Sequence, residues 1–193
     1  MPRAGLTRER VVAEAAVIAD EVGFERFTLA AVAARCGVSL PGLYKHIEGL
    51  AGIKRDIAVL SVDELTETMS RAAVGLAGKD ALAAIAHAYR RYVAEHPGRA
   101  AAAVVEAPDP DDAEHAAAAD RAIAVLAAAL KGYGIEQDDG VHAIRYLRAV
   151  LHGFSALEAA RGFGLPQAVD TTFEHIIDAL DAAFARWPTT TPA

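Results

Sequence analysis

The chain is poor in cysteine, in aromatic residues and in long apolar runs. Its single cysteine, Cys36, excludes a disulfide framework and a zinc site built on cysteines. The longest apolar run, residues 122–130, spans nine residues, whereas a membrane-spanning helix needs about twenty. The chain reaches the charged residues 8–10 without the apolar segment of a secretory signal. These absences predict a soluble protein of the reducing cytoplasm that has no membrane partner.

Alanine dominates what is present. It fills 46 of the 193 positions, and 53% of all residues are hydrophobic, although only 6% are aromatic. This hydrophobic content is enough for a sizeable core, which excludes an intrinsically disordered chain. Because alanine is the best helix former and a poor strand residue, the composition predicts an all-α fold.

The charge is unevenly distributed along the chain. The net charge is −7, yet residues 1–60 hold eight Lys and Arg against seven acidic residues, so the excess of acid lies in the remainder. A neutral-to-basic N-terminal segment followed by an acidic remainder suits a polyanionic partner. Chance variation of the surface charge explains the same distribution, and the charge alone does not separate the two.

The first 49 residues carry the pattern of three short helices. The first helix is predicted over residues 7–22, and Gly23 ends it. Thr28 is a good N-cap for the second, which Gly37 ends, and Ser39 is the N-cap of the third. Two short helices joined by a tight glycine-containing turn predict a helix-turn-helix.

Further helices are predicted over the rest of the chain. A long helix starts near Leu50, others follow, and Asp109 is predicted to cap an alanine-rich helix with Pro110 at its first position. The predicted domains are a helix-turn-helix domain over residues 1–49, a larger helical domain over residues 50–187, and a disordered tail over residues 188–193.

Two segments resemble a known family. Residues 28–46, TLAAVAARCGVSLPGLYKH, look like the DNA-binding signature of the TetR family of transcriptional regulators. The segment LHGF at 151–154, followed by GFGLP at 162–166, is similar to a C-terminal ligand-binding domain of some TetR-type regulators. The resemblance implies that residues 1–49 are a DNA-binding domain and that residues 50–187 are a ligand-binding and dimerisation domain. It also implies a homodimer that binds a palindromic double-stranded DNA operator. It implies repression more often than activation, with release by a small-molecule effector, which we expect to be apolar or amphipathic.

The residues expected to contact DNA lie on the third helix and at two helix N-termini. Lys45 can reach a base or a phosphate, whereas Tyr44 and His46 are better placed for phosphates. The alternative is that the threonine and serine only cap their helices and that the tyrosine only packs. The predicted DNA-binding residues are Thr28, Ser39, Leu40, Pro41, Gly42, Tyr44, Lys45 and His46.

The sequence departs from the family at two points of this surface. Leu50 stands near the position where many relatives have a phosphate-binding lysine, and Gly42 replaces a larger residue on the third helix. Each departure removes one possible DNA contact. An alternative function is therefore a helical small-molecule-binding module that has lost DNA binding.

Two further sets of residues are assigned in the second predicted domain. Polar and aromatic side chains among the middle helices are the candidates for an effector pocket. The LHGF segment and the last helix are the candidates for a dimer interface, although His152 can equally be a hydrogen-bonded structural histidine. The predicted pocket residues are His87, Tyr89, Tyr92, His115 and Tyr146. The predicted interface residues are His152, Gly153, Phe154, Phe173, Ile177 and Leu180.

We find no pattern that predicts an enzyme. The sequence has no Gly-x-Ser-x-Gly elbow and no glycine-rich phosphate loop, and its seven histidines include no His-Glu-x-x-His pair. We therefore expect no catalytic residue, no metal site and no cofactor.

Overall fold

The computed structural model describes residues 5–106 and 111–188, and every regular element in those residues is helical. The all-α prediction is confirmed. The elements are α1 (Arg8–Val22), α2 (Leu29–Cys36), α3 (Leu40–Leu43), α4 (Gly49–Ala73), α5 (Gly78–Glu95), α6 (Pro97–Val105), α7 (Ala113–Leu130), a 3₁₀ turn (Lys131–Tyr133), α8 (Gln137–Ala159) and α9 (Val169–Phe184). In the part of the chain that is described, no helix combines the length and the apolar character needed to cross a membrane.

The cap of α7 differs in position from the sequence prediction. Asp109 and Pro110 lie outside the described residues, as do tail residues 189–193. Asp112 carries out the capping: its Oδ1 accepts hydrogen bonds from the backbone N–H groups of Glu114 and His115, each at 3.1 Å. These N–H groups belong to the first turn of α7, where they have no intrahelical acceptor.

The first compact unit comprises residues 1–64 together with residues 95–118. Its core consists of apolar side chains from α1 to the first half of α4, together with Ala102 of α6. The unit therefore extends past the predicted domain boundary after residue 49. Its buried members include Val11, Ala15, Phe24, Phe27, Val32, Leu43, Ile47, Ile53 and Ile57.

The segment 95–118 belongs to this unit because α6 packs directly against the backbone of α1. At Gly98, an added Cβ would lie 2.1 Å from the carbonyl carbon and oxygen of Ala19, so only glycine fits. The backbone N–H of Arg99 donates to Asp20 Oδ1 at 2.9 Å, and its guanidinium lies 3.0 Å from Glu64 Oε2. This contact caps the start of α6 with a carboxylate of α1.

The second compact unit comprises residues 65–94 and 119–193. Its core is formed by long apolar side chains of α5, α8 and α9 and by a group of phenylalanines. The Phe154 and Phe173 rings lie 4.9 Å apart, and the guanidinium of Arg90 lies 4.8 Å from the centre of the Phe173 ring. The same guanidinium pairs with Glu158 and Asp170, so one arginine stacks on the aromatic core and links α8 to α9.

Candidate nucleic-acid interface

The third helix and the turn before it are fixed by capping interactions. Thr28 Oγ1 accepts from the backbone N–H of Ala31 at 3.2 Å, and Ser39 Oγ accepts from that of Gly42 at 3.3 Å. Gly37 between the two helices has φ of +69°, a left-handed conformation that favours glycine. Both caps are where the sequence places them, and they give α2 and α3 the helix-turn-helix arrangement.

The third helix is buried on one side and exposed on the other. Leu43 is fully buried and Ile47 is nearly so, whereas Leu40 is 39% exposed and Tyr44 is 53% exposed. Lys45 is also exposed. The regular helix ends at Leu43, and the backbone N–H of His46 donates to Leu43 O at 2.9 Å in the turn that follows. The exposed residues therefore form a continuous outward surface on a segment that the core holds in place.

Several cationic side chains of the first unit form ion pairs with carboxylates, whereas Lys45 does not. Arg35 pairs with Glu21 at 2.7 Å, and Lys54 pairs with Glu25 at 2.8 Å. Within residues 5–106 and 111–188, no carboxylate oxygen lies within ion-pair distance of Lys45. Its charge is available to an external anion.

A cluster of charged residues, which we name the Arg55 cluster, lies in the same unit. It comprises Arg8, Arg55, Asp56, Asp112 and Glu114. The Arg55 guanidinium donates from Nε to Asp112 Oδ2 at 2.5 Å, from Nη1 to Glu114 Oε2 at 2.6 Å, and from Nη1 to Asp56 Oδ1 at 2.9 Å. Arg8 completes the cluster with Nε 2.8 Å from Asp56 Oδ2. The cluster joins α1, α4 and the first turn of α7.

The hydrogen bonds of the cluster shift the pKa values of its members. The side-chain bond from Arg55 lowers the pKa of Asp112 well below the usual range, and the backbone N–H of His115 lowers it further. The bond to Asp112 raises the pKa of Arg55. Sequence reasoning did not find this cluster because 57 residues separate Arg55 from Asp112, so no helical periodicity relates them.

An open cleft of about 810 Å³ lies between the turn after α3 and the Arg55 cluster. Tyr44, Lys45 and His46 line one part of it, and Arg8 and Arg55 line another. The cleft places the predicted DNA-contacting residues beside the cluster.

The predicted pocket residues divide between the two units. His115 lies in the first unit, where it is buried, and the other four lie in the second. Tyr89 is buried with its hydroxyl 3.4 Å from His152 Nδ1, and Tyr92 is also buried. His87 Nε2 lies 3.3 Å from Glu174 Oε1 on the surface.

The fifth pocket residue, Tyr146, packs in an aromatic group at the end of α9. It lies against Phe184 and Trp187, with ring centres 6.0 and 5.8 Å away. The structure thus brings Tyr89 to His152, a pair that the sequence assigned to separate sites, and places His87 and Tyr146 among other partners.

Burial has opposite effects on the two members of the Tyr89–His152 pair. It raises the pKa of Tyr89 and lowers the pKa of His152, because a low-polarity surrounding disfavours the charged form of each. The positive charge of Arg148 also lowers the pKa of His152. Both side chains are therefore neutral near pH 7.

Four of the predicted interface residues are covered within the chain itself. Phe154, Phe173, Ile177 and Leu180 are buried inside the second unit, and their place in a dimer interface stays a prediction. Their apolar spacing on α8 and α9 reflects the core of the unit. His152 and Gly153 are half-exposed, and a Cβ added to Gly153 would meet no atom within 4 Å.

Comparisons with known proteins agree with this architecture. The family described as tetracyclin repressor-like, C-terminal domain, matches residues 82–180. The uncharacterized HTH-type transcriptional regulator YobS of Bacillus subtilis is 35% identical over 164 residues, which cover 84% of each chain.

Two solved structures share the fold. A TetR variant, Q116A, of Acinetobacter baumannii in complex with minocycline has a TM-score of 0.73 at 22% identity, covering 96% of this chain and all of that one. BioQ with its double-stranded DNA operator has a TM-score of 0.68 at 20% identity, covering 94% of this chain and 99% of that one.

Proposed function

The chain belongs to the TetR family of transcriptional regulators, and from that premise we propose that it is a cytoplasmic repressor. In this proposal the head, residues 1–49, binds a palindromic DNA operator as part of a homodimer. A small molecule bound to the rest of the chain releases the operator.

The observation that carries the proposal is the one-sided exposure of α3. Leu43 and Ile47 fix the helix and its turn to the core, while Leu40, Tyr44 and Lys45 face outward. A helix-turn-helix protein uses its second helix in this way, because the helix must enter the major groove while its inner side holds it in position.

The charge of Lys45 supports the same surface. A lysine that has no carboxylate partner gains more from a DNA phosphate than one that must first give up an ion pair. Binding to the phosphate also releases a condensed counterion, which makes the affinity depend on salt. Tyr44 beside it can donate its hydroxyl hydrogen to the phosphate backbone, which fixes the register of the helix in the groove.

The outward surface of α8 supports the homodimer. His152 and Gly153 are half-exposed there, and Ala149 and Ala156 on the same side of the helix are exposed. Small side chains allow the helices of a second copy to approach closely. Two identical heads then read two half-sites, whose centres must lie about 34–36 Å apart because the major groove returns to the same side of the duplex after one turn.

The Tyr89–His152 pair supports an effector that is largely apolar. The neutral hydroxyl of the buried Tyr89 and the neutral imidazole of the half-exposed His152 can orient one polar group of such a ligand. The related TetR variant was solved with minocycline, so this fold accommodates a small molecule in that protein. Release follows if the ligand binds more tightly to a form of the dimer whose heads no longer fit the operator.

The proposal is tested by selection of random duplex DNA with the purified full-length protein, followed by sequencing. We expect an enriched palindrome, and light scattering should give the mass of a dimer. A folded protein that enriches no duplex would contradict the proposal and favour the small-molecule-binding module.

A variant of α8 tests the dimer separately. Gly153→Arg places a long charged side chain on the outward surface, where the space around Gly153 is open within the chain itself. We expect a folded monomer with much weaker operator binding. A dimer of unchanged stability would show that the interface lies elsewhere.

A further inference from the structure

We infer that α3 reads its operator through apolar contacts, with Leu40 and Pro41 recognising the 5-methyl groups of thymines in the major groove. The inference rests on the proposed function and adds to it the base content of the operator and the residues that select it.

The first argument is the set of hydrogen-bonding side chains that α3 lacks. Residues 38–48 contain no arginine, asparagine or glutamine. The whole chain has no asparagine, and its two glutamines, Gln137 and Gln167, lie in the second unit. The commonest specific contacts of the major groove are arginine or lysine to guanine and asparagine or glutamine to adenine, and among residues 38–48 only Lys45 is of these types.

The second argument is what the first turn of α3 presents instead. Leu40 and Pro41 are exposed, and Gly42 has no side chain. Ser39 Oγ accepts from the Gly42 N–H, so one of its two lone pairs is used within the helix. In helix-turn-helix proteins the first turn of the recognition helix approaches the base edges. Here that turn carries aliphatic carbon.

The third argument is the complementary group on DNA. The only apolar group on a base edge in the major groove is the 5-methyl group of thymine. Leu40 is 39% exposed in the free protein, which leaves apolar surface that contact with a methyl group would remove from water. Leucine at this position therefore favours thymine over the other three bases.

The fourth argument concerns charge. Apart from the histidine, Lys45 is the one cationic side chain in residues 38–48. Its ammonium is a point charge that binds a phosphate, or a single guanine, without the paired geometry of arginine. Discrimination at the base pairs that the first turn of α3 approaches then depends on Leu40 and Pro41.

The experiment replaces thymine with deoxyuridine, which lacks only the methyl group. The palindrome obtained by selection is resynthesised with each thymine of the half-site replaced in turn, and the affinity of the full-length dimer is measured by fluorescence anisotropy. We expect a loss of about fourfold, the factor that burial of one methyl group supports, at one or two positions of each half-site. Thymines outside the half-sites serve as the DNA control.

Protein variants assign the effect to its side chain. At one of the sensitive positions, Leu40→Ala is expected to bind the thymine and uracil operators with equal affinity, since the leucine contact there is gone. A position read by Pro41 should keep its preference for thymine. Leu76→Ala is the matched control, because Leu76 is 45% exposed in the second unit and undergoes the same change. It should keep the full preference for thymine.

A reverse substitution separates the methyl group from the hydrogen-bonding edge. A C·G pair placed at a sensitive thymine should weaken binding, and 5-methylcytosine at that position should restore part of the loss.

Two results would overturn the inference while leaving the proposed function intact. One is an operator whose affinity is unchanged by every uracil substitution, and the other is a Leu40→Ala protein that keeps the full preference for thymine at every sensitive position. If no duplex is enriched at all, the proposed function fails, and the inference fails with it.

Discussion

Each of the two compact units is stabilised internally by a different kind of contact. In the second unit, α5, α8 and α9 meet through buried aromatic and aliphatic side chains, with Phe173 at the centre. In the first unit, the segment 95–118 is joined to α1 and α4 by the close contact at Gly98 and by ion pairs of Arg99 and Arg55. Acid protonates the carboxylates of ion pairs and salt screens their charges, whereas contacts between apolar side chains carry no charge to titrate or to screen.

The largest expected effect is in the aromatic core. Phe173→Ala removes a fully buried ring that contacts Phe154 and His87, and it should lower the free energy of unfolding by about 3–5 kcal/mol. Urea titration followed by circular dichroism measures the change. Phe163→Ala is the control, since Phe163 also contacts Phe154 but is partly exposed. Equal losses for both variants would refute the idea that burial decides the effect.

The next effect tests the close contact of the first unit. Gly98→Ala inserts a methyl group 2.1 Å from the carbonyl of Ala19, so α6 must move away, at a cost of about 1–3 kcal/mol. Gly140→Ala is the matched control, because its added methyl meets no atom within 4 Å and alanine favours the helix. The two variants should therefore shift the urea midpoint in opposite directions.

A third prediction concerns the affinity for DNA. Lys45→Ala should weaken binding to all duplexes by a similar factor and should reduce the slope of log affinity against log salt by about one. Lys131→Ala, an exposed lysine of the second unit, should change neither quantity. Binding is measured between about 50 and 200 mM salt, the range over which phosphate contacts weaken. Unchanged binding by Lys45→Ala would show that this lysine does not contact DNA.

The smallest effect should come from the Arg55 cluster. Because Asp112 has a depressed pKa in the folded state, its contribution to stability is present above the pKa of an unfolded aspartate, about 3.9, and is lost as the pH falls further. Asp112→Asn should therefore be slightly less stable than the wild type at pH 7, with the difference closing below about pH 4. Thermal unfolding across this pH range measures it.

The exposed Asp120 provides the control for the substitution, since it lies on the same helix. Asp120→Asn should leave the stability at pH 7 unchanged. A constant gap between the wild type and Asp112→Asn down to pH 2 would show that the loss comes from the changed cap and not from the ion pairs.

Much of the head was predictable because its signals are local. The caps Thr28 and Ser39, the left-handed Gly37 and the buried pair Leu43 and Ile47 all lie where the sequence predicts them. Each depends on residues within one or two turns of helix, so the pattern along the chain carries the information.

The proposed dimer surface and effector pocket are harder to predict from the sequence, because they depend on which side of each helix is covered. The spacing of Phe173, Ile177 and Leu180 identifies an apolar stripe on α9 but does not say what packs on it. The structure assigns that stripe to the interior of the second unit. The pairing of Tyr89 with His152 likewise joins residues 63 apart in the chain, which no periodic pattern connects.

Local patterns in the sequence are enough to predict that the protein is helical and that its head carries a helix-turn-helix. Hydrogen bonds and side-chain preferences within a few residues set these features. The fold is needed to establish that α6 packs on α1, that Arg55 binds Asp112, and which apolar faces are interior. Those contacts join residues that are distant along the chain, and their formation depends on shape and distance in three dimensions.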